Sequence, residues 1–386
     1  MKWHNRGHEY DAVYQRMEEI TSYYLFGAGD YGNQFFHVIR NEIPLAGYLD
    51  NSQEKQGTDY NGLKVYSPEK VTLSEQEAII VTVSQIQRIK IVEQLEQLGY
   101  RKNYHYFIIE EFLSVYYVYK HGKVFFSSIS MLPSTKCNLN CELCLNFNPY
   151  AEHPSVRALD QVKKDIDAFF SAVDYIMLFH VSGGEPFLYP DLPEVIRYLD
   201  ERYGDRIYKI RTVTNGTIVP RDEFLERLKG LRFEVTVDDY REAVPQYRGQ
   251  FDKLMAKLDE YGIQHYRNYT DQWIDLAPMK TDHSAWTDEQ LMHHFDDCCQ
   301  SWQELRDGKI FMCNYSAYAA VAGINQTEPD EYYDLTRHRQ DQAKELVEFR
   351  LGYSAKGYVS FCRHCRGFND QNDLVAKAAR QAENNR

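Results

Sequence analysis

Residues 137–144 read CNLNCELC and put three thiols, Cys137, Cys141 and Cys144, into one compact loop. Three thiolates leave one iron of a cubane cluster open, whereas a structural zinc site takes four protein ligands and a fully protein-ligated cluster prefers four thiolates. The next cysteine along the chain is Cys298, more than 150 residues on. The loop therefore suits a metal centre that keeps one position for an exchangeable ligand, with a structural zinc loop as the alternative reading.

Working outward, YYVYK and VFFSSISM flank His121-Gly122-Lys123 and predict a hairpin whose second strand runs into the cysteine loop. Downstream to about residue 285, strand-like and helix-like runs alternate: YIMLFHVSGG, LPEVIRYLDERYG, YKIRTVTNG, DEFLERLKG, RFEVTVDDY, FDKLMAKLDEYG and IQHYRNYT. Such alternation implies a parallel sheet, flat or curved into a partial barrel. Two strand ends carry further motifs, Gly183-Gly184-Glu185-Pro186 and Thr214-Asn215-Gly216. Glycine-exposed backbone beside a carboxylate is sensible chemistry for an ammonium group. Each motif alone also reads as an ordinary turn.

Taken in order, the three-cysteine loop, GGEP and TNG resemble the radical S-adenosylmethionine (SAM) superfamily over roughly residues 125 to 285. Leu143 departs from the pattern, since that family more often has an aromatic residue before the third cysteine. The resemblance implies a 4Fe–4S cluster on Cys137, Cys141 and Cys144, with SAM on its open iron. Gly183, Gly184, Glu185 and Pro186 would hold the SAM amino group, and Thr214 and Asn215 its ribose or carboxylate. It further implies that the reduced cluster cleaves SAM to methionine and a 5′-deoxyadenosyl radical, which abstracts hydrogen from substrate. A flavodoxin- or ferredoxin-type protein is the expected electron donor.

A second cysteine set lies beyond residue 286: Cys298-Cys299, Cys313 after the hairpin-like ELRDGKIFMC, and the Cys362-x-x-Cys365 pair. It resembles the auxiliary-cluster (twitch or SPASM-like) extension of radical SAM enzymes, with four thiolates on an auxiliary 4Fe–4S cluster. Adjacent side chains point apart, so one of Cys298 and Cys299 should ligate, Cys298 being preferred. A four-cysteine zinc site is the competing reading. A charged helix is expected to close the chain.

The amino-terminal stretch reads as a Rossmann-like unit. YYLF (Tyr23 to Phe26) leads into Gly27-x-Gly29-x-x-Gly32, the helix NQFFHVIRN follows, and LAGYLD ends at Asp50. A Gly57- and Gly62-containing loop, the strand AIIVTVS and the helix IQRIKIVEQLEQLGY complete it. Gly27, Gly29, Gly32 and Asp50 match a dinucleotide fingerprint, and a degenerate unit without ligand is the other possibility. The runs LFGAGDYG, GYLDN and NGLKVYSPE resemble domains of sugar-nucleotide enzymes.

The predicted fold is thus α/β in three parts: a Rossmann-like parallel sheet (1–112), a central partial (β/α)6 radical SAM barrel (113–285) and a cysteine-rich cluster-binding extension (286–386). At strand ends, Asp238, Asp239 and Arg267 are the candidate catalytic or substrate-contacting residues, with turn polarity as the alternative. His180 reads as a packed strand residue rather than a base. A formal charge of -13 in 386 residues argues against nucleic acid as a partner. No apolar run reaches the roughly 18 residues of a membrane span, and the charged opening MKWHNRGHEYDAVYQRM lacks a secretory pattern, so a cytoplasmic protein is expected. The expected function is oxidation or epimerisation of a carbohydrate or nucleotide sugar by hydrogen abstraction. The rivals are a peptide-modifying maturase and a zinc-stabilised binding protein without catalysis.

Overall fold

The computed structural model describes residues 1–298, 302–369 and 371–382. The chain divides into two compact units, residues 5–123 and residues 1–4 with 124–386.

The first unit contains α1 (Asp11–Glu19), β1 (Ser22–Phe26), α2 (Asp30–Ile39), β2 (Leu45–Leu49), β3 (Asp59–Tyr60), β4 (Leu63–Tyr66), β5 (Glu77–Val81), α3 (Gln85–Gln97), β6 (Tyr106–Ile108) and α4 (Ile109–His121). Its sheet runs β3-β4-β2-β1-β5-β6 and is parallel from β4 to β6, so the order turns back at β1. Leu25, Phe26, Ile79, Ile80 and Val81 are fully buried, the apolar run of a sheet covered on both faces. Asn61 and Gly62 both take positive φ, 52° and 76°, and turn β3 into β4 as a short antiparallel ribbon.

Tyr116–Lys120, expected as one arm of a hairpin, lies instead in α4. The β-branched and aromatic residues suggest a strand, but Phe112, Leu113, Ser114, Val115, Tyr116 and Val118 are buried all round a helix. Glu110 and Glu111 occupy the first turn, Lys120 and His121 the last, and Gly122 closes the helix with φ 65°.

The second unit contains β7 (Phe125–Met131), α5 (Leu159–Ala172), β8 (Tyr175–Val181), α6 (Leu192–Tyr203), β9 (Ile207–Thr214), α7 (Asp222–Leu228), β10 (Glu234–Asp238), α8 (Arg248–Glu260), β11 (Gln264–Asn268), β12 (Gln272–Ile274), α9 (Asp288–Asp296), β13 (Glu304–Arg306), β14 (Lys309–Phe311), α10 (Asn314–Val321), β15 (Tyr332–Asp334), α11 (Ala343–Arg350) and β16 (Val375–Lys377). Strands β7 to β11 are parallel neighbours in chain order. In place of a sixth strand at the β11 edge, β12 leaves the sheet and pairs with β16. The β7 edge is extended by β13, parallel, and then by antiparallel β14 and β15. The hairpin read in ELRDGKIF is present, with Asp307 and Gly308 at positive φ in its turn.

Phe179 of β8 packs on Phe169 and Phe170 of α5, which marks the helix-covered face. By strand alternation His180 points to the other face, in register with Ser130 and Arg211. The row continues to Glu304 on one side and Glu234 on the other.

The charged helix expected at the end of the chain does not form among the described residues. Ala378 and Ala379 are drawn into an apolar cluster with Leu139 and Cys141, and Ala379 adopts a left-handed φ of 56° that no α-helix accommodates. Residues 383–386 lie outside the described residues.

Candidate functional site

The cysteine loop leaves β7 and closes on itself where the Cys144 N–H donates to the Cys141 carbonyl at 3.1 Å. Its sulfurs receive several donors. The Leu139 N–H and Asn215 Nδ2 donate to Cys137 Sγ at 3.4 and 3.7 Å, and Gln381 Nε2 donates to Cys141 Sγ at 3.3 Å. Burial pushes the Cys137 and Cys141 thiols up to about 12, with smaller contributions from neighbouring thiols. Cys144 is raised by burial as well. A desolvated group of soft donors ionises only when a cation takes up the charge, so this set fits an iron–sulfur cluster. Among the described residues, no three His, Cys, Asp or Glu side chains converge as a single metal ion requires.

The GGEP loop abuts the cysteine loop so closely that a Cβ at Gly184 would lie 2.3 Å from the Thr135 carbonyl oxygen. The Gly184 and Glu185 N–H groups donate to the Ser134 and Lys136 carbonyls, both at 2.8 Å, and Asn146 Nδ2 donates to the Gly183 carbonyl at 2.6 Å. Pro186 opens the short turn Pro186–Leu188. Glu185 is 1% exposed. Its carboxylate accepts the Phe187 N–H at 3.1 Å, the Thr214 hydroxyl at 2.8 Å and the Asn215 N–H at 2.9 Å. Burial moves it up to about 7 against the pull of those donors. Thr214 and Asn215, the other expected SAM contacts, are thus tied to Glu185. The Asn215 side chain also donates to Asn138 Oδ1 at 3.1 Å and accepts from the Thr217 hydroxyl at 2.5 Å.

Asp238 and Asp239 diverge. Asp238 accepts from the Tyr240 hydroxyl and from Asn268 Nδ2, both at 2.7 Å, and burial raises it. Tyr240 packs in the cluster that includes Cys141. Asp239 instead pairs with Arg241 in a two-bonded arrangement at 2.8 Å and with Arg267 Nη2 at 2.6 Å, and Arg241 holds it low. Arg267 and Asp239 therefore belong to one ion network, while Asp238 is linked to the cysteine loop's apolar cluster through Tyr240. His180 Nε2 is buried without a partner, Trp302 stacks edge-on against the ring at 5.3 Å, and burial lowers the imidazole to about 4. Beside it, Glu234 binds Arg211 at 2.6 Å and Lys209 at 3.2 Å.

Cys298, Cys313, Cys362 and Cys365 lie close enough together to perturb one another electrostatically. Burial raises all three of Cys313, Cys362 and Cys365, Cys313 to about 12. Cys299 lies outside the described residues. His283 and His294 do not reach the sulfurs. Their rings bond the Cys362 and Cys365 carbonyls at 3.1 and 2.9 Å.

In the residue 5–123 unit the three glycines differ. Gly27 has φ 119°, and a Cβ there would sit 2.5 Å from Val83 Cγ1, while one at Gly32 would sit 2.7 Å from the Gly27 carbonyl. A Cβ at Gly29, at the start of α2, meets nothing. The Asp50 carboxylate is already engaged by the Ala28 N–H at 2.9 Å, the Ser52 N–H at 2.8 Å and Lys55 Nζ at 3.3 Å.

Sequence reasoning missed Asn138, Asn146, Gln381 and Lys55. Asn138 and Asn146 sit within or beside the cysteine loop, where polar residues other than cysteine were the available signal. Gln381 and Lys55 carry no local pattern.

The radical SAM superfamily model matches residues 131–269, and the model described as C2185-like, N-terminal, matches residues 21–105. The chain carries a radical SAM domain. GTP 3′,8-cyclase 1 of Mycobacterium tuberculosis (strain CDC 1551 / Oshkosh) is 27% identical over 154 residues, covering 38% of this chain and 41% of that protein. Fe-coproporphyrin III synthase of Methanosarcina barkeri is 33% identical over 138 residues, 33% of each chain. The chain thus spans less than half the length of these relatives. Among solved structures, BtrN in complex with AdoMet and 2-DOIA aligns with TM-score 0.40 and 16% identity over 64% of this chain and 94% of that one. Streptococcus suis SuiB bound to precursor peptide SuiA gives 0.33 and 17%, over 48% and 45%. No helix among the described residues is long and apolar enough to cross a membrane.

Proposed function

We propose that this chain is a radical SAM oxidoreductase or isomerase acting on a carbohydrate, with an auxiliary 4Fe–4S cluster on Cys298, Cys313, Cys362 and Cys365 and a nucleotide-binding module in residues 5–123. The observation that carries the reading is the three-thiol loop locked onto the GGEP loop and the end of β9. Cys137, Cys141 and Cys144 would hold the SAM-binding cluster, and the GGEP loop, Gly183 to Pro186, the SAM ammonium. When bound, the cluster and SAM supply one-electron chemistry and a carbon radical able to abstract hydrogen.

The chain's own residues fix geometry and exclude water. Glu185 clamps two strand ends together, and Leu139, Tyr240, Val244 and Ala379 wall off the cysteine loop. On the sheet face opposite α5, the His180–Arg211–Glu234 row and the unpartnered His180 Nε2 support a hydroxyl-bearing, polar substrate.

Anaerobic reconstitution should give about eight irons per chain, two cubanes, and Ala at Cys137, Cys141 and Cys144 together should leave about four. Dithionite-reduced protein should release 5′-deoxyadenosine from SAM and take deuterium into it from a labelled nucleotide sugar. Iron near zero with zinc bound overturns the reading, and deuterium transfer from a peptide alone overturns the substrate half.

A further inference from the structure

Residues 366–369 and 371–382 run from the second set of thiols to the first, and bonds pin both ends. Near Cys365, the Gly367 N–H donates to Cys365 Sγ at 3.3 Å and the Arg366 N–H to the Leu276 carbonyl at 2.9 Å. Asn372 Nδ2 then bridges the Gly367 and Asp275 carbonyls at 2.8 and 2.9 Å. In the middle, β16 pairs with β12, and the Ala378 N–H donates to the Asp271 carbonyl at 2.9 Å.

At the far end the segment is laid antiparallel along the cysteine loop. The Glu142 N–H donates to the Arg380 carbonyl and the Ala382 N–H to the Asn140 carbonyl, both at 2.8 Å. Arg380 Nε meets Glu142 Oε2 at 2.5 Å. Ala379 sits in left-handed backbone at φ 56°, a conformation that is strained for a residue with a Cβ and is kept only where surroundings enforce it. Beyond that turn the Gln381 amide makes three bonds: Oε1 accepts the Asn140 N–H at 2.9 Å, and Nε2 donates to the Ala379 carbonyl at 2.7 Å and to Cys141 Sγ at 3.3 Å. A second link between the two sets is the edge-on contact of Phe147, just past Cys144, with Phe361, just before Cys362, at 5.5 Å.

We propose that residues 366–369 and 371–382 are a strap through which the second thiol set governs the first, with Gln381 as the positioning residue that delivers an N–H to the Cys141 thiolate. This rests on the assignment of Cys137, Cys141 and Cys144 to a 4Fe–4S cluster. An N–H aimed at a ligand sulfur draws off charge and favours the reduced form, raising the reduction potential, and it shields that sulfur from water. The donor is held by the strap, and the strap is anchored at Cys365. Loss of the second site therefore lowers the potential of the first without touching any of its ligands.

The test uses the full chain, reconstituted anaerobically, with the EPR signal that changes on SAM addition as reporter of the open-iron cluster. Gln381→Glu keeps the acceptor for Asn140 and removes the donor to sulfur; Gln381→Ala removes both; Cys362→Ser with Cys365→Ser cuts the anchor. All three should shift the SAM-responsive midpoint to more negative potential and speed iron loss to a chelator by about 10-fold. Loss of that signal with about four irons retained in a Gln381 variant also supports the strap. Parent-like midpoint and chelation rate in both Gln381 variants overturn the role of Gln381, and the same result in the double cysteine variant overturns the coupling. A parent protein that binds no iron fails earlier, at the cluster assignment itself.

Discussion

Glu185 accepts the Thr214 hydroxyl at 2.8 Å inside the protein, so the loop after β8 and the end of β9 are joined by a buried carboxylate. Glu185→Ala strands the Thr214 hydroxyl and two backbone N–H groups, and should cost of the order of 3 kcal/mol in urea unfolding. Glu185→Gln keeps a carbonyl acceptor and should cost about 1 kcal/mol. Equilibrium dialysis of the reconstituted Ala variant should show weakened SAM binding with iron retained. Unchanged SAM affinity removes this loop from the SAM site.

Asp165 plays a comparable part at the β13–β14 turn. It accepts Arg157 Nη2 at 2.5 Å, the Asp307 N–H at 2.9 Å and the Gly308 N–H at 2.7 Å, with both side chains about 5% exposed or less. Asp165→Ala leaves a buried guanidinium and two turn donors uncompensated, for an expected loss of roughly 3–5 kcal/mol. Denaturant unfolding measures it, and amide exchange at Asp307 and Gly308 should accelerate. A loss below about 1 kcal/mol would show that water or Asp307 takes over the charge.

Glu304 supplies a pH dependence. Burial drives it from 4.5 up to about 8, opposed by the Leu132 N–H, Arg306, the Tyr318 hydroxyl and Arg157. Between those values the folded chain holds a proton that the unfolded chain has released, so this group's contribution is full below the ordinary carboxylate range and is lost as pH rises through about 8. Apo-protein stability should fall with pH by of the order of 1 kcal/mol per unit from this group. Glu304→Gln, neutral throughout, should flatten the slope. An unchanged slope in that variant assigns it elsewhere.

The sequence made the cysteine loop, GGEP and TNG legible because each is a short contiguous pattern on a strand end, and the alternation of β8 to β11 with helices followed from periodicity. What escaped it depends on distant partners. The Tyr116–Lys120 run has strand-like residues, yet burial of Phe112 to Tyr116 and Val118 and the Gly122 cap make it helical. Asp239 and Arg267 looked like parallel offers to a substrate, and geometry pairs them with each other at 2.6 Å. Gln381 bears on Cys141 only after β16 has crossed to β12. Contacts of this kind leave no local trace in residue order.

The glycine turn of the residue 5–123 unit gives the cleanest test of the nucleotide proposal, because its three glycines are held for different reasons. Gly27→Ala must fit a Cβ 2.5 Å from Val83 Cγ1 at φ 119°, and Gly32→Ala one 2.7 Å from the Gly27 carbonyl; both should destabilise the unit whether or not a ligand exists. Gly29 has extended backbone, φ -145°, and open space where a side chain would go. Gly29→Val should therefore cost at most about 1 kcal/mol, as a poorer helix cap, while placing two methyl groups where a diphosphate would meet the first N–H groups of α2. Asp50 and Lys55, bonded to Ala28 on its N–H and carbonyl, hold that turn in shape. Calorimetric titration with UDP, GDP, CMP, NAD and NADP should show binding of a nucleotide diphosphate by the parent and none by Gly29→Val, with SAM cleavage intact in both. Tight NAD binding would make the unit a redox-cofactor site instead, and equal binding by both proteins, or by neither, removes the nucleotide from this turn.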